Sequence, residues 1–522
     1  MKRLTALIGL SICLSACVTN PRESATPLRT KQDPHQRIHD VAKRLGFDPD
    51  AYAFMAQSAP EPAGIFLSHR ADAPMQPAST IKLLTSAVAL DRLGPEHRGF
   101  TELQSAASIQ DERLHGDLWL IAGADPEFGL STMWEMLLQL RAKSIRVIDG
   151  NLLVNRHRFR PARFDQDLPA FDEAPEFAYN LIPDALSAHG ALQDIELRSD
   201  QLTVEAKLIP ELPGIVIENG LILRDTPCAN WSGSGWQTPQ QILRVDGTLA
   251  IVLRGSFPKQ CRQLARLQLV ERNRLLEAQF RWLWSQLGGS WNGGLREVTA
   301  HEAAQQGQIA QTSLTVMLRR QSRPWGEWLR PLNKRSDNAL TRLLYLEIGA
   351  MAELAQRAAD PSQSLLGQQD LGTATGQALS TFMLAEREVL AWMQQRGINT
   401  EGLVLENGSG LSRTERMTAA QMVSMLSSVS REHRYHDLMM SLPVAGEDGT
   451  LKRRYTGHLA TGSARLKTGS LWNVSAIAGV VLDRRKRPWM VSIMVNHPRA
   501  STAAPLITEI IDTVASIDDD HK

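Results

Sequence analysis

Three short runs carry side chains whose types and spacing could do chemistry. Ser79-Thr80-Ile81-Lys82 sets a hydroxyl and an amine three residues apart, on one face of a helix. Ser79 follows Pro77 and precedes Ile81, Leu84 and Val88 at helical intervals, so it stands at a helix start. Free backbone N–H groups and the positive end of the dipole gather there. A serine hydroxyl is a poor nucleophile until a base takes its proton, and a lysine can do that once burial or nearby cations lower its pKa. Ser336-Asp337-Asn338 opens a second helix. Ser336 suits a proton relay, Asn338 a hydrogen bond to a substrate amide, and Asp337 reads as a cap. Lys467-Thr468-Gly469-Ser470 leads into a strand, which at a sheet edge could pair with a peptide backbone. Lys467 supplies charge, Thr468 a donor for a carboxylate, and Gly469 room for close approach. The Ser470 N–H could join that of Ser79 as an oxyanion hole. Each run alone has a plain reading as cap, solvated lysine or turn. Their order and element context together point to acyl transfer through a serine.

The elements that must position these runs are helical at both ends of the chain. An amphipathic helix is expected around Gln36 to Leu45, a short strand at Pro62 to Leu67, and helices at Leu314 to Leu329, Asn338 to Ile348 and Met417 to Ser427. Strands Val474 to Leu482 and Trp489 to Val495 and a helix near Ala503 to Ile517 close the chain. Residues 100–260 differ. Short alternating runs such as Asp117 to Ile121 and Leu249 to Leu253, separated by turns, make this middle mainly β. Ser79 and Ser336 are 257 residues apart (336 minus 79), too far for a compact β-lactamase, so an insertion lies between them.

With 522 residues, the chain has room for several domains and needs no cysteine staples. Its 57 Lys and Arg against 56 Asp and Glu argue against a nucleic-acid binder working through a basic surface. Met1-Lys2-Arg3 followed by the apolar run Leu4 to Leu14 is a leader, too short to span a bilayer. It ends in Leu14-Ser15-Ala16-Cys17, similar to a bacterial lipoprotein box in which Cys17 carries the lipid; an ordinary secretory leader is the alternative. Val18 after that cysteine favours the outer membrane over inner-membrane retention, with residues 17–33 as tether. Cys13 leaves with the leader, so Cys228 and Cys261 are expected to pair in an oxidising compartment, two buried thiols being the alternative.

The Ser-x-x-Lys, Ser-Asp-Asn and Lys-Thr-Gly set is similar to that of penicillin-binding proteins and class A β-lactamases. Longer stretches resemble one family more closely. These are Pro77-Ala78-Ser79-Thr80-Ile81-Lys82-Leu83, Gly116-Asp117-Leu118-Trp119-Leu120 with Asp125-Pro126, and Asn333-Lys334-Arg335-Ser336-Asp337-Asn338. Others are Gly408-Ser409-Gly410-Leu411-Ser412-Arg413, residues Leu442 to Leu451, and Lys467-Thr468-Gly469-Ser470-Leu471. They resemble the D-alanyl-D-alanine carboxypeptidase/endopeptidase family of low-molecular-mass, class C penicillin-binding proteins (peptidase family S13), over nearly all of the chain after residue 34. The resemblance implies an α/β (α+β) transpeptidase-like fold, an antiparallel sheet flanked by helices and interrupted by two β-rich inserted domains. The expected divisions are 34–90 plus 310–522 for the catalytic domain, 91–160 plus 262–309 for the first insert and 161–261 for the second.

It further implies that Lys82 activates Ser79, that Ser336 protonates the leaving amine, and that Asn338, Lys467 and Thr468 hold the substrate. The substrates would be peptidoglycan stem peptides and cross-links, with β-lactams as covalent inhibitors and neither cofactor nor metal required. A lipid on Cys17 would join the enzyme to the membrane from the periplasm, and a homodimer is one arrangement left open. A serine esterase or β-lactamase, and a wall-binding protein without turnover, are the rival readings. The chain departs from the family at Asn407 and Asn155, where Asp is usual, and at Trp472, where Gln is frequent. In the family Arg413 and the positions of Asn155 and Trp472 lie near the third side chain of the stem peptide. Their change implies altered side-chain preference, drift at a tolerant surface being the alternative.

Overall fold

The computed structural model describes residues 33–58, 66–186, 188–233, 235–309, 314–359 and 379–518. The leader, Cys17 and residues 62–65 of the expected early strand lie outside the described residues.

The catalytic sheet has five antiparallel strands in the order Phe66–His69, Tyr52–Ser58, Pro488–Asn496, Val474–Leu482, Arg465–Leu471. Side chains alternate across a strand, so the sheet has two faces with different coverings. Tyr52, Phe54, Ile477, Val481, Ile493 and Val495 form one face, buried under the Pro34–Arg44 and Ala504–Ala515 helices. The C-terminal helix fits because Leu506, Ile507, Ile510, Ile511 and Val514 fall on a single stripe. Ile493 is paired with Phe54 on one side and Ile477 on the other, and its truncation to Ala should cost about 2–5 kcal/mol.

On the other face Ala53, Ala476, Met494, Ala478 and Val480 are mostly small, which lets the Ala78–Ile81 turn and the Lys82–Arg92 helix approach closely. Every residue from Lys82 to Leu90 is buried, so this helix runs through the core rather than along its surface. The helices Asn338–Ala359, Thr381–Gln395 and Ala419–Val429 enclose it. Helix Ala419–Val429 begins with a capping box, Thr418 to the Gln421 N–H and Gln421 back to the Thr418 N–H.

The middle of the chain adds further sheets, the nearest of which shares its core with the Lys82–Arg92 helix. A mixed sheet runs in the order Leu295–Glu297, Leu152–Asn155, Leu118–Gly123, Phe100–Ser105, Thr315–Gln321. Its last strand corrects the expected helix at Leu314 to Leu329. Residues Thr315–Gln321 pair antiparallel with Phe100–Ser105, and a helix begins only at Trp325, after Pro324. Proline disfavours α geometry in the residue before it, and the pairing partner outweighs local propensity. Arg319 to Glu102 (2.7 Å) and Arg320 to Asp125 fix that strand electrostatically.

Beyond this sheet, Gln193–Ser199, Val204–Ile209 and Arg262–Leu267 form a three-stranded antiparallel sheet, with a second around Leu249–Leu253. Ile195, Leu197, Ile251 and Phe257 make a core of their own. Cys228 and Cys261 form a disulfide across 33 residues, worth roughly 3–4 kcal/mol in the chain-entropy model.

Candidate active site

The three runs that are far apart in sequence meet at one end of the catalytic sheet. Lys82 Nζ donates to Ser79 Oγ (3.0 Å), to Asn338 Oδ1 (2.8 Å) and to the Ser409 carbonyl. Lys467 Nζ donates to Ser336 Oγ (2.7 Å) and to the Thr468 carbonyl (2.8 Å). Both lysines are 0 % exposed. Burial, more than any neighbour, lowers Lys82 to about 7, with Glu415 and Asp337 opposing and Arg342 assisting. Burial and the charge of Lys82 push Lys467 well below the usual lysine range. The site therefore holds two amines stripped of water, each on a serine hydroxyl, and Lys82 is poised to exchange a proton near physiological pH. Such an arrangement can take a proton from one oxygen and return one through the other.

Local structure explains how the side chains converge. Ala78 (φ 45°) and Ser336 (φ 58°) are in the left-handed region, which β-carbon-bearing residues seldom occupy. Ala78 turns the chain into the nucleophile helix, and Ser336 is the joint between the Trp325–Arg335 and Asn338–Ala359 helices. Asp337 has the expected capping role, accepting from the Leu340 N–H (2.9 Å), and it also meets His189 Nε2 (2.9 Å) from the insert.

Arg465–Leu471 is an edge strand of the sheet, with Lys467 and Thr468 buried and Ser470 exposed. Gly469 is required by packing: a β-carbon there would lie 2.8 Å from the Pro77 carbonyl and 3.0 Å from the Ser79 N–H nitrogen. Gly410 is tighter still, since its β-carbon would meet the Ala78 carbonyl at 2.1 Å.

The 405–415 loop was read in the sequence only for its resemblance, yet it forms the back wall. The Val404–Arg416 bridge closes it. Asn407 Oδ1 accepts from the Ser409 N–H (3.0 Å) and Oγ–H (2.6 Å), and its Nδ2 donates to the Leu411 carbonyl (3.0 Å). The insert supplies the opposite wall, which spacing arguments could not find. Asn338 Nδ2 donates to the Tyr179 carbonyl (3.0 Å), and Arg342 reaches the Leu181 carbonyl (3.1 Å). Arg413 stacks its guanidinium 4.9 Å from the Phe171 ring centroid. Trp472 is 87 % exposed in the turn after the edge strand. Asn155 ends the strand Leu152–Asn155 of the inserted sheet, and its Oδ1 accepts from the His157 N–H (2.9 Å). Among the described residues no group of three or more His, Cys, Asp or Glu is placed to hold a metal.

A fold of this topology, with a serine–lysine pair at the start of a core helix and a second lysine on the edge strand, defines a penicillin-binding serine peptidase. The chain belongs to the D-Ala-D-Ala carboxypeptidase 3 (S13) family, whose model matches residues 36–516. It acts as a D-Ala-D-Ala carboxypeptidase/endopeptidase on peptidoglycan. It is 28 % identical over 414 residues to a D-alanyl-D-alanine carboxypeptidase of Actinomadura sp. (strain R39), covering 78 % of this chain and 70 % of that one. It is 24 % identical over 422 residues to the D-alanyl-D-alanine carboxypeptidase DacB of Haemophilus influenzae (strain ATCC 51907 / DSM 11121 / KW20 / Rd), covering 79 % and 78 %. The crystal structure of penicillin binding protein 4 (dacB) from Haemophilus influenzae shares the fold, with TM-score 0.65 at 19 % identity over 93 % of this chain and 95 % of that one.

Proposed function

We propose that Ser79 is the nucleophile of a D-Ala-D-Ala carboxypeptidase that also cleaves cross-links as a DD-endopeptidase. Lys82 takes the Ser79 proton as Oγ bonds to the penultimate D-alanine carbonyl carbon. The bond to the terminal amine then breaks, and that nitrogen receives through Ser336 the proton that Lys82 took, which leaves Lys82 neutral again. Water adds to the acyl carbon and gives its proton to Lys82; the bond from that carbon to Oγ then breaks as Lys82 returns the proton to Ser79, and the shortened peptide leaves. Lys467 and Thr468 hold the substrate carboxylate, Asn338 its peptide, and the Ser79 and Ser470 N–H groups the developing oxyanion. The observation that carries this reading is the 3.0 Å contact of Ser79 Oγ with a buried Lys82 whose pKa burial lowers to about 7.

The same serine is the site of β-lactam acylation. A DacB structure from Haemophilus influenzae, TM-score 0.66 over 91 % of this chain, is described as complexed with a β-lactam. The test is product analysis on purified muropeptides with wild type and Ser79→Ala. Free D-alanine and conversion of cross-linked dimers to monomers are expected from the wild type alone; neither product from the wild type sinks the assignment. Fast hydrolysis of penicillin, without a stable adduct on Ser79, would move the reading to a β-lactamase.

Arg413, Trp472 and Asn155 are assigned to the side-chain subsite. The Phe171–Arg413 stack and the exposed Trp472 indole support preference for an aliphatic or amidated third side chain over a free zwitterionic one. We assign residues 34–90 and 322–522 to the catalytic domain, since Thr315–Gln321 pairs with strand Phe100–Ser105. The outer insert is taken as 161–270, because Arg262–Leu267 pairs with Gln193–Ser199. Among the described residues no helix is long and apolar enough to cross a membrane. Attachment through a lipid on Cys17 at the outer membrane is assigned from the leader sequence alone, and Cys17→Ser should move the protein to the soluble fraction.

A further inference from the structure

Glu415 is a buried carboxylate to which the catalytic steps above give no role. It is 1 % exposed, and one of its oxygens accepts from three successive backbone N–H groups: Glu406 (3.2 Å), Asn407 (3.1 Å) and Gly408 (3.1 Å). Those amides belong to the turn that carries the Ser409 carbonyl, which receives the Lys82 ammonium. The turn is pinned on its far side as well, since Thr85 Oγ1 donates to the Gly408 carbonyl (2.7 Å). Gly408 cannot carry a side chain, because a β-carbon would lie 2.5 Å from the Tyr345 ring. The geometry leaves the turn no slack relative to the nucleophile helix.

The other carboxylate oxygen has no hydrogen-bond partner among the described residues. Burial raises the Glu415 carboxyl above the usual glutamate range and the three N–H bonds oppose that: a protonated carboxyl would need an acceptor for its O–H, whereas convergent N–H donors suit an anion. Asn407, at the position where the resembled family has Asp, spends its amide within the turn and adds no charge. The groups that face Glu415 are Glu406, Arg342, Tyr345 and Lys82. Those that face Lys82 are Glu415, Asp337, Arg342 and Lys467. Glu406 is engaged by the Ser412 and Thr414 hydroxyls on the outer side of the loop.

We propose that Glu415 is the positioning residue for Lys82: it clamps the turn that presents the Ser409 carbonyl, and its buried negative charge sets how strongly Lys82 holds a proton. This rests on Lys82 being the base that activates Ser79. Burial alone would make Lys82 a weak base; a carboxylate behind it restores enough basicity to take the serine proton.

The sign of the test follows. Lys82 must be neutral to act, so acylation rises as pH increases through its pKa. Removing the charge disfavours the ammonium and moves that acidic limb to lower pH; adding charge moves it higher. Second-order acylation by benzylpenicillin would be measured from pH 5 to 10 on the full chain. Glu415→Gln keeps an oxygen for the three amides, and its limb should fall by roughly one pH unit with a plateau about two- to tenfold lower. Asn407→Asp alone should raise the limb, and Asn407→Asp with Glu415→Gln should bring it back toward wild type.

A folded Glu415→Gln protein with an unmoved limb overturns the proposal. If that variant does not fold, an unmoved limb in Asn407→Asp overturns it instead. Lys82→Gln separates the two layers. Retained acylation there refutes Lys82 as base and the role of Glu415 with it. Loss of acylation together with an unmoved Glu415→Gln limb refutes the role of Glu415 alone.

Discussion

Among the described residues, two clusters of buried cations differ in their partners. At the catalytic floor, Lys82 and Lys467 bond only to hydroxyls, carbonyls and an amide oxygen. In the insert, Arg156, Arg163 and Arg272 are 2 %, 6 % and 4 % exposed and each meets carboxylates directly. Arg163 forks onto Asp165 (2.9 Å for both bonds) and reaches Glu297 (2.7 Å). Arg156 meets Glu297 (2.8 Å) and Asp184 (3.3 Å), and Arg272 meets Asp184 (2.9 Å). Burial costs both clusters solvation, but only the carboxylates repay it with opposite charge. Arg163 is held above the ordinary arginine range by its partners even though burial opposes them, while Lys82 drops to about 7. Lys82, given neutral acceptors, can shuttle a proton; Arg163, given carboxylates, is held charged as a rivet, while burial still lowers Arg156 beside its carboxylates. Arg163, Asp165 and Arg272 hold the segment that leads into the Phe171–Leu181 wall of the groove.

The difference can be broken from either side. Lys82→Gln should lower penicillin acylation by about 10³-fold or more while the protein keeps its fold, measured by stopped-flow labelling and circular dichroism. Arg156→Met should do the reverse. Leaving Asp184 and Glu297 without that partner should cost about 3–5 kcal/mol in denaturant unfolding, with far less effect on acylation per folded molecule.

A third test uses pH. Lys82 shifts from 10.5 in the unfolded chain to about 7 in the fold, so folding favours its neutral form. Wild-type stability should therefore fall as pH drops from about 10.5 toward 7 and level off below that. Lys82→Met removes that penalty, so its Tm advantage should be largest at pH 7 and shrink by pH 10. Reducing the Cys228–Cys261 disulfide acts away from both clusters, and should cost the outer insert about 2–4 kcal/mol without changing acylation. The smallest effect expected is Trp472→Gln, a roughly threefold to tenfold change in kcat/KM between peptides with and without a free zwitterionic third side chain.

The three runs that meet in the site were legible because each carries a local signature: a serine at a helix start, a polar cap, a lysine entering a strand. Val474–Leu482 was read to the residue, since both of its faces are buried and no turn residue interrupts it. Thr315–Gln321 was misread as helix, since its strand character comes from a partner more than two hundred residues earlier. Glu415 had no signature at all. A lone glutamate three residues from a serine is ordinary on a surface, and only the closed 405–415 loop turns it inward.

What the sequence by itself determined is the reaction type, the order of the motifs and the existence of an insertion, because helix starts, strand alternation and cysteine arithmetic are local properties. Only the tertiary structure decided which lysines are buried on hydroxyls, which arginines meet carboxylates, and which walls the groove has. Those outcomes depend on what a side chain meets when water is gone, and the partners of Lys82 come from residues 79, 338, 409 and 415. No spacing along the chain encodes that meeting; the packing of the catalytic sheet against its core helix does.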